Sequence, residues 1–199
     1  MFEGKNIVIF AAHPDDIECG MGATLNQLKK YDPKIVIFAD TVQYNSDKIK
    51  DECKNSMQTL GLDFKLYNFE VDNLEKDKVE IRKIIYSYKN MDIIFGHSSL
   101  SQHQDHRLIG QAIDDIMLEK TIFFYEDIRS GQNEKINFWN NVSEEDMESK
   151  YRMIEKYNTQ LEKRHYMTKE SFFTMARFRG GQINKQFAEG FEVKRLVRT

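Results

Sequence analysis

Ile7-Val8-Ile9-Phe10-Ala11-Ala12-His13-Pro14-Asp15-Asp16-Ile17-Glu18-Cys19-Gly20 is an apolar run that turns at once into an imidazole, a proline and three carboxylates. Ile7 to Ala11 reads as a buried parallel strand. The charges that follow are too costly to place in a core, so they belong at the carboxyl edge of a sheet, where open α/β folds place their ligands. Pro14 fixes its own φ and restricts His13 to extended backbone, which lets His13 and Asp16 face one point across a tight turn. An imidazole and a carboxylate converging there are two ligands of a metal site that needs a third.

Outward from this turn the chain keeps alternating. Met21, Leu25 and Leu28 have helical spacing, with the helix starting near Gly20 and Asp32-Pro33 ending it. Lys34 to Asp40 is a second apolar strand whose polar end, Asp40 and Thr41, arrives at the same edge. Asn45-Ser46-Asp47 opens a helix that closes at Leu60-Gly61. Phe64 to Phe69 alternates as a half-exposed strand. Leu74 to Lys89 is a helix, Met91 to Phe95 a short buried strand, Leu108 to Leu118 a helix and Thr121 to Tyr125 a strand. Asn137 to Asn140 suits a short strand or a lid. Ser143-Glu-Glu-Asp146 has the form of a capping box opening a helix toward Arg164. A last helix around Phe172 to Phe178 stops at Gly180-Gly181, leaving a terminal segment. The pattern predicts right-handed βαβ units and a mostly parallel sheet with helices on both faces.

The 199 residues, 40% of them hydrophobic, suffice for one compact domain over 1–199. A net charge of −3 gives no basic character to attract nucleic acid, and no apolar run reaches the length of a membrane span. The start at Met1 lacks a signal-peptide layout, and two cysteines, Cys19 and Cys53, fit a reducing, cytoplasmic setting. Cys19 reads as a small filler beside the turn. Nothing sets the oligomeric state, and a homo-oligomer stays open.

The third ligand is expected from another strand end. His103 and His106, in Gln102-His103-Gln104-Asp105-His106-Arg107 after the Met91 to Phe95 strand, form the one closely spaced histidine pair. Only one is needed, and spacing alone does not separate them. The reading places His106, next to the helix start, on the metal and leaves His103 to hydrogen-bond a substrate oxygen, with Asp105 orienting a neighbouring imidazole. A catalytic zinc keeps three protein ligands and one open position. Asp15 is then the general base that later returns its proton to a leaving amine. Fe2+ or Mn2+ suits the same donors. His97 and His165 read as surface or structurally satisfied histidines. Tyr44, Glu126 and Arg129 follow strand ends and are candidates to line a substrate pocket, while Trp139 reads as core cover.

At these residues the chain resembles the LmbE-like/PIG-L family of zinc-dependent deacetylases. His13-Pro14-Asp15-Asp16 resembles its first motif, and His103-Gln104-Asp105-His106 is similar to its second, with Gln104 in place of the usual proline. Glu52, Leu60 and Gly61, then Asn158-Thr159-Gln160, then Phe187-Ala188-Glu189-Gly190-Phe191 resemble further family segments. The resemblance implies a Rossmann-like three-layer αβα fold, zinc on His13, Asp16 and His106, Asp15 as base and His103 on the oxyanion. It also implies a small-molecule N-acetylated amino sugar of the N-acetylglucosamine type as substrate. Thr41 to Ser46 lacks the Gly-Glu and the arginine found in many members, with Lys48 the nearest substitute. An amidase or esterase for a larger acyl or thiol conjugate, and a non-catalytic metal- or sugar-binding module, are the alternatives.

Overall fold

The computed structural model describes residues 1–41 and 46–198. Its seven strands are β1 (Ile7–Ala11), β2 (Lys34–Thr41), β3 (Phe64–Glu70), β4 (Ile93–Gly96), β5 (Thr121–Tyr125), β6 (Phe138–Val142) and β7 (Phe187–Arg195). They form one sheet in the order β3-β2-β1-β4-β5-β7-β6. The first five run parallel, and β7 enters antiparallel between β5 and β6. This is the mostly parallel sheet with helices on both faces that the alternation predicts.

The layers follow from the period of two along each strand. Ile7, Ile9 and Ala11 of β1 face the first helix layer, α1 (Asp16–Leu28), α2 (Ser46–Gln58) and α5 (Glu144–Ile154), through Ile17, Leu25, Met57 and Met153. Val8, Phe10 and Ala12 face the second, α3 (Lys78–Ser87) and α4 (Gln104–Ile116), through Ile81, Ile85, Ile109 and Ile113. Burial on both sides is why β1 is apolar at every position. A third cluster joins α7 (Lys169–Gly181) to β7 and α5 through Phe172, Phe173, Phe187 and Met147. Between α5 and α7 lies a single turn, α6 (Asn158–Leu161), capped by Glu52, which accepts the Thr159 N–H at 3.0 Å.

The chain leaves β1 toward β2 on one side and returns to β4 on the other. The crevice outside β1 and β4 is therefore the switch point where such sheets bind ligands.

Several elements differ from their sequence reading. The first helix starts at Asp16, four positions before Gly20, because Asp15 takes a left-handed backbone (φ 88°) as its N-cap and turns the chain directly off the strand. Met21 (φ −144°) then marks a kink. The helix opened by the Ser143/Asp146 capping box ends at Ile154, well short of Arg164. Of the two readings of Asn137 to Asn140 the strand holds, as β6 beginning at Phe138, while the terminal segment is β7, a strand inside the sheet.

Candidate metal centre

Three strand ends build the centre. His13, Asp15 and Asp16 follow β1, His97 follows β4 with His103 and His106 at the start of α4, and Asp127 follows β5. Pro14 and the left-handed Asp15 fold the first turn back so that Asp16 Oδ2 accepts the His13 N–H at 2.7 Å. Gly110 lets α4 lie against the loop after β4, since a Cβ there would meet the His97 carbonyl at 2.5 Å.

His13 Nδ1 lies 3.5 Å from Asp16 Oδ2, His106 Nε2 lies 3.3 Å from Asp16 Oδ1, and the two ring nitrogens are 3.3 Å apart. A tetrahedral zinc held at about 2.0–2.1 Å by nitrogen and oxygen sets its donors about 3.3–3.4 Å apart. The spacing fits. The remote nitrogens are anchored as well: His13 Nε2 is 2.9 Å from Asp105 Oδ2, and His106 Nδ1 is 3.0 Å from Asp127 Oδ2. A carboxylate on the far nitrogen places the proton there and frees the near lone pair for a cation.

The neighbouring rings are arranged for other tasks. His103 caps α4, its Nδ1 accepting the Asp105 N–H at 3.3 Å, so its proton sits on Nε2, which lies 3.3 Å from Asp72 Oδ1. It is a donor in this geometry. His97 Nε2 accepts the Ala12 N–H at 3.1 Å, with the Tyr125 hydroxyl and Asp16 Oδ2 each 3.1 Å away, and its ring stacks on His106 at 3.8 Å. His97 is 2% exposed and forms the floor of the cavity, so the surface reading of this histidine is corrected, whereas His165 is exposed.

The electrostatics suit a cation. Burial disfavours charge on His13, but Asp16 and Asp105 outweigh it and raise its pKa to about 9. His106 is pushed to about 10 against the same burial by Asp16 and Asp127. Burial and the adjacent rings lower His97 and His103 to about 4, so both are neutral; the His103 contact with Asp72 is a hydrogen bond and not an ion pair, whereas His97 Nε2, which accepts the Ala12 N–H, has no proton to give Asp16. Although burial opposes it, the His106, His97 and His13 rings hold Asp16 well below the usual carboxylate range. Two imidazoliums offset two of the three charges of Asp16, Asp105 and Asp127. A divalent cation would replace their protons.

Asp15 is 3% exposed at the edge of the same cavity. Burial and Asp16 raise its pKa to about 8 against the pull of Arg164, whose guanidinium lies 3.4 Å from Asp15 Oδ2 and donates to the Tyr166 hydroxyl at 3.0 Å. Arg129 and Ser130 also line the cavity. Glu126 does not, because Arg179 of α7 holds its carboxylate on the far side of the β5 end, and Asp127, one residue on, faces the site instead. Tyr44 lies outside the described residues. Trp139 is half-buried on β6 and donates to Gln182, away from the cavity.

Sequence reading missed His97, Asp127 and Arg164. His97 had a signal, the Gly96-His97 position at a buried strand end, equivalent to that of His13. Asp127 had the same signal, shared with Glu126. Arg164 had none, because a loop brings it to Asp15 from 149 positions away.

The family model of PIG-L, GlcNAc-PI de-N-acetylase, matches residues 8–117. No curated protein matches the sequence. Among solved structures, the fold is similar to that of N,N'-diacetylchitobiose deacetylase from Pyrococcus horikoshii, with a TM-score of 0.77 at 20% identity, covering 96% of this chain and 85% of that one. It is similar to GalB, the 4-carboxy-2-hydroxymuconate hydratase from Pseudomonas putida KT2440, with a TM-score of 0.78 at 15% identity and 98% of each chain covered. A third, the zinc inhibited form of teicoplanin deacetylase Orf2, has a TM-score of 0.77 at 14% identity, covering 94% of this chain and 96% of that one.

Proposed function

Because the chain belongs to the PIG-L family and is a hydrolase of amide C–N bonds, we propose that it removes the acetyl group from a small N-acetylated amino sugar, with a divalent cation, zinc by the chemistry of its donors, on His13, Asp16 and His106. The observation that carries this is the set of 3.3–3.5 Å contacts that His13 and His106 make with each other and with the two oxygens of Asp16, with both remote imidazole nitrogens held by carboxylates. Such a cation supplies Lewis-acid activation of water and of the acyl carbonyl.

The protein's own groups do the rest. Asp15 takes the proton of the attacking water and returns it to the leaving nitrogen. His103 offers its Nε2–H to the oxygen that gains charge, and must leave Asp72 to do so. Asp105 and Asp127 hold the two ligating rings in one tautomer. In balance, the water oxygen adds to the acyl carbon, the C–N bond breaks, and acetate and the protonated amine leave. Residues 1–199 act as one catalytic unit in this reading, since the cavity is lined from His13 through to Tyr166.

The test is metal analysis of the purified protein with acetate release from N-acetylglucosamine, its glycosides and its conjugates. Zinc at one equivalent per chain and acetate release abolished by chelation are expected. Bound zinc with no acyl release from any of them would favour a binding module.

A further inference from the structure

Asp15 is the N-cap of α1, yet its side chain makes no capping bond to the helix. The helix it precedes therefore does nothing to fix its carboxylate. Asp16 beside it has its own oxygens against His13 and His106. Among the described residues one group holds the Asp15 side chain, the Arg164 guanidinium, 3.4 Å from Oδ2. Oδ1 takes no hydrogen bond from a described residue and is not closed off from solvent, so it is the oxygen that meets the cavity.

Arg164 arrives on a pinned arm between α6 and α7. Buried Tyr157 donates its hydroxyl to Glu18 Oε1 at 2.8 Å, one turn along α1 from Asp15. Buried Thr159 gives its N–H to Glu52 of α2 at 3.0 Å, and Met167 sinks the far end of the arm into the apolar cluster beneath α7. Between these pins Glu162, Lys163 and His165 face solvent, while Arg164 and Tyr166 turn into the cavity. The Arg164 N–H goes to the Gln160 carbonyl and its own carbonyl accepts the Met167 N–H, both at 3.0 Å, which closes the backbone under the guanidinium. The guanidinium in turn donates to the Tyr166 hydroxyl at 3.0 Å, and that bond sets its tilt. An arginine held this way is not a passing surface contact.

Resting on the reading of Asp15 as the group that transfers the proton, we infer that Arg164 is the residue that positions it, holding Oδ2 from the arm so that Oδ1 is aimed at the attacking water. In this role Arg164 touches no reacting atom. Asp15 and Asp16 place two carboxylates side by side after β1, and a guanidinium on the outer oxygen offsets their repulsion while restricting rotation of the Asp15 carboxylate. A lysine there would supply the charge without the planar fork.

The test uses acetohydroxamate on the zinc-loaded protein, with affinity read by calorimetry, so that no substrate has to be known. This probe holds zinc through its two oxygens and gives its hydroxyl hydrogen to the carboxylate beside them. Arg164→Ala should weaken it by about tenfold when Asp15 is present and not at all when Asp15 is already Asn, the non-additivity expected of residues that act through one another. Arg164→Lys should recover part of the loss. Each variant should hold one equivalent of zinc, which separates a lost contact from a lost fold. No weakening by Arg164→Ala, or equal weakening with and without the Asp15 carboxylate, would overturn the positioning role and leave Asp15 as the base. If Asp15→Asn binds acetohydroxamate as tightly as the native chain, or the native chain takes up no zinc, the underlying reading falls and the inference with it.

Discussion

Asp105 Oδ2 stands 2.9 Å from His13 Nε2 across 92 positions of sequence, and the same oxygen accepts the Asp72 N–H at 2.7 Å. One carboxylate therefore sets the orientation of the His13 ring and pins the turn after β3 to the site. Asp105→Asn keeps the shape and loses the charge. It is expected to weaken zinc binding by about 10–100-fold, the usual cost of losing such a partner, as read by competition with a chromogenic chelator. Unchanged affinity would remove Asp105 from the metal's support.

Asp15 combines a chemical role with backbone strain. Asp15→Ala should retain zinc and lose turnover, because the other carboxylates among the described cavity residues, Asp16 and Asp127, are held against His106. Asp15→Gly should be equally inactive yet more stable than Asp15→Ala by about 1 kcal/mol, since glycine takes φ 88° without a Cβ penalty. Thermal denaturation of the two variants side by side checks this, and equal midpoints would mean that the turn relaxes when the carboxylate is removed.

The raised pKa values of His13 and His106 give the metal-free protein a pH dependence of definite sign. Each imidazole binds its proton more tightly folded (about 9 and about 10) than unfolded, where the value is about 6.5. The stability this contributes is fully present below pH 6.5 and is lost as pH rises through 9 to 10. Metal-free protein should therefore melt at progressively lower temperature from pH 7 to 10, while zinc-loaded protein, whose ligands are already deprotonated, loses less. Zinc affinity should climb over the same interval. Parallel melting curves of the two forms across this range would contradict the assignment.

Lys150 and Glu189 form a pair whose side chains are 5% and 3% exposed, and Glu189 also accepts the N–H groups of Ala23 and Thr24. Lys150→Met leaves a buried carboxylate with its amide donors and no counter-charge. A loss of roughly 3–5 kcal/mol is expected, and Lys150→Met with Glu189→Gln should recover part of it. Urea denaturation of the single and double variants measures both, and a single variant as stable as the native chain would show that water reaches Glu189.

Much of the fold was legible because its signals are local. A strand buried on both faces must be apolar along its buried length, and β1 is throughout, as are Ile35 to Ala39 of β2, Ile93 to Phe95 of β4 and Ile122 to Phe124 of β5. Helices on a sheet repeat their apolar residues every three or four positions, as α3 and α4 do. β7 escaped notice because its glutamates, Glu189 and Glu192, break the apolar run. Each is buried against a distant partner, Lys150 and Ser98 respectively, that no local pattern announces.

By itself the sequence determined that His13, Asp15 and Asp16 lie at the end of a buried strand and that a second His/Asp motif follows another, since charge cannot be buried unpaired and a strand's end is the nearest place to put it. Only the tertiary structure decided which imidazole nitrogens face the centre, that His97 floors it, that Asp127 and not Glu126 supports it, and that Arg164 meets Asp15. These depend on hydrogen bonds between strand ends and loops that are close in space and far apart in the chain, and the tautomer of a histidine is set by whatever its other nitrogen touches.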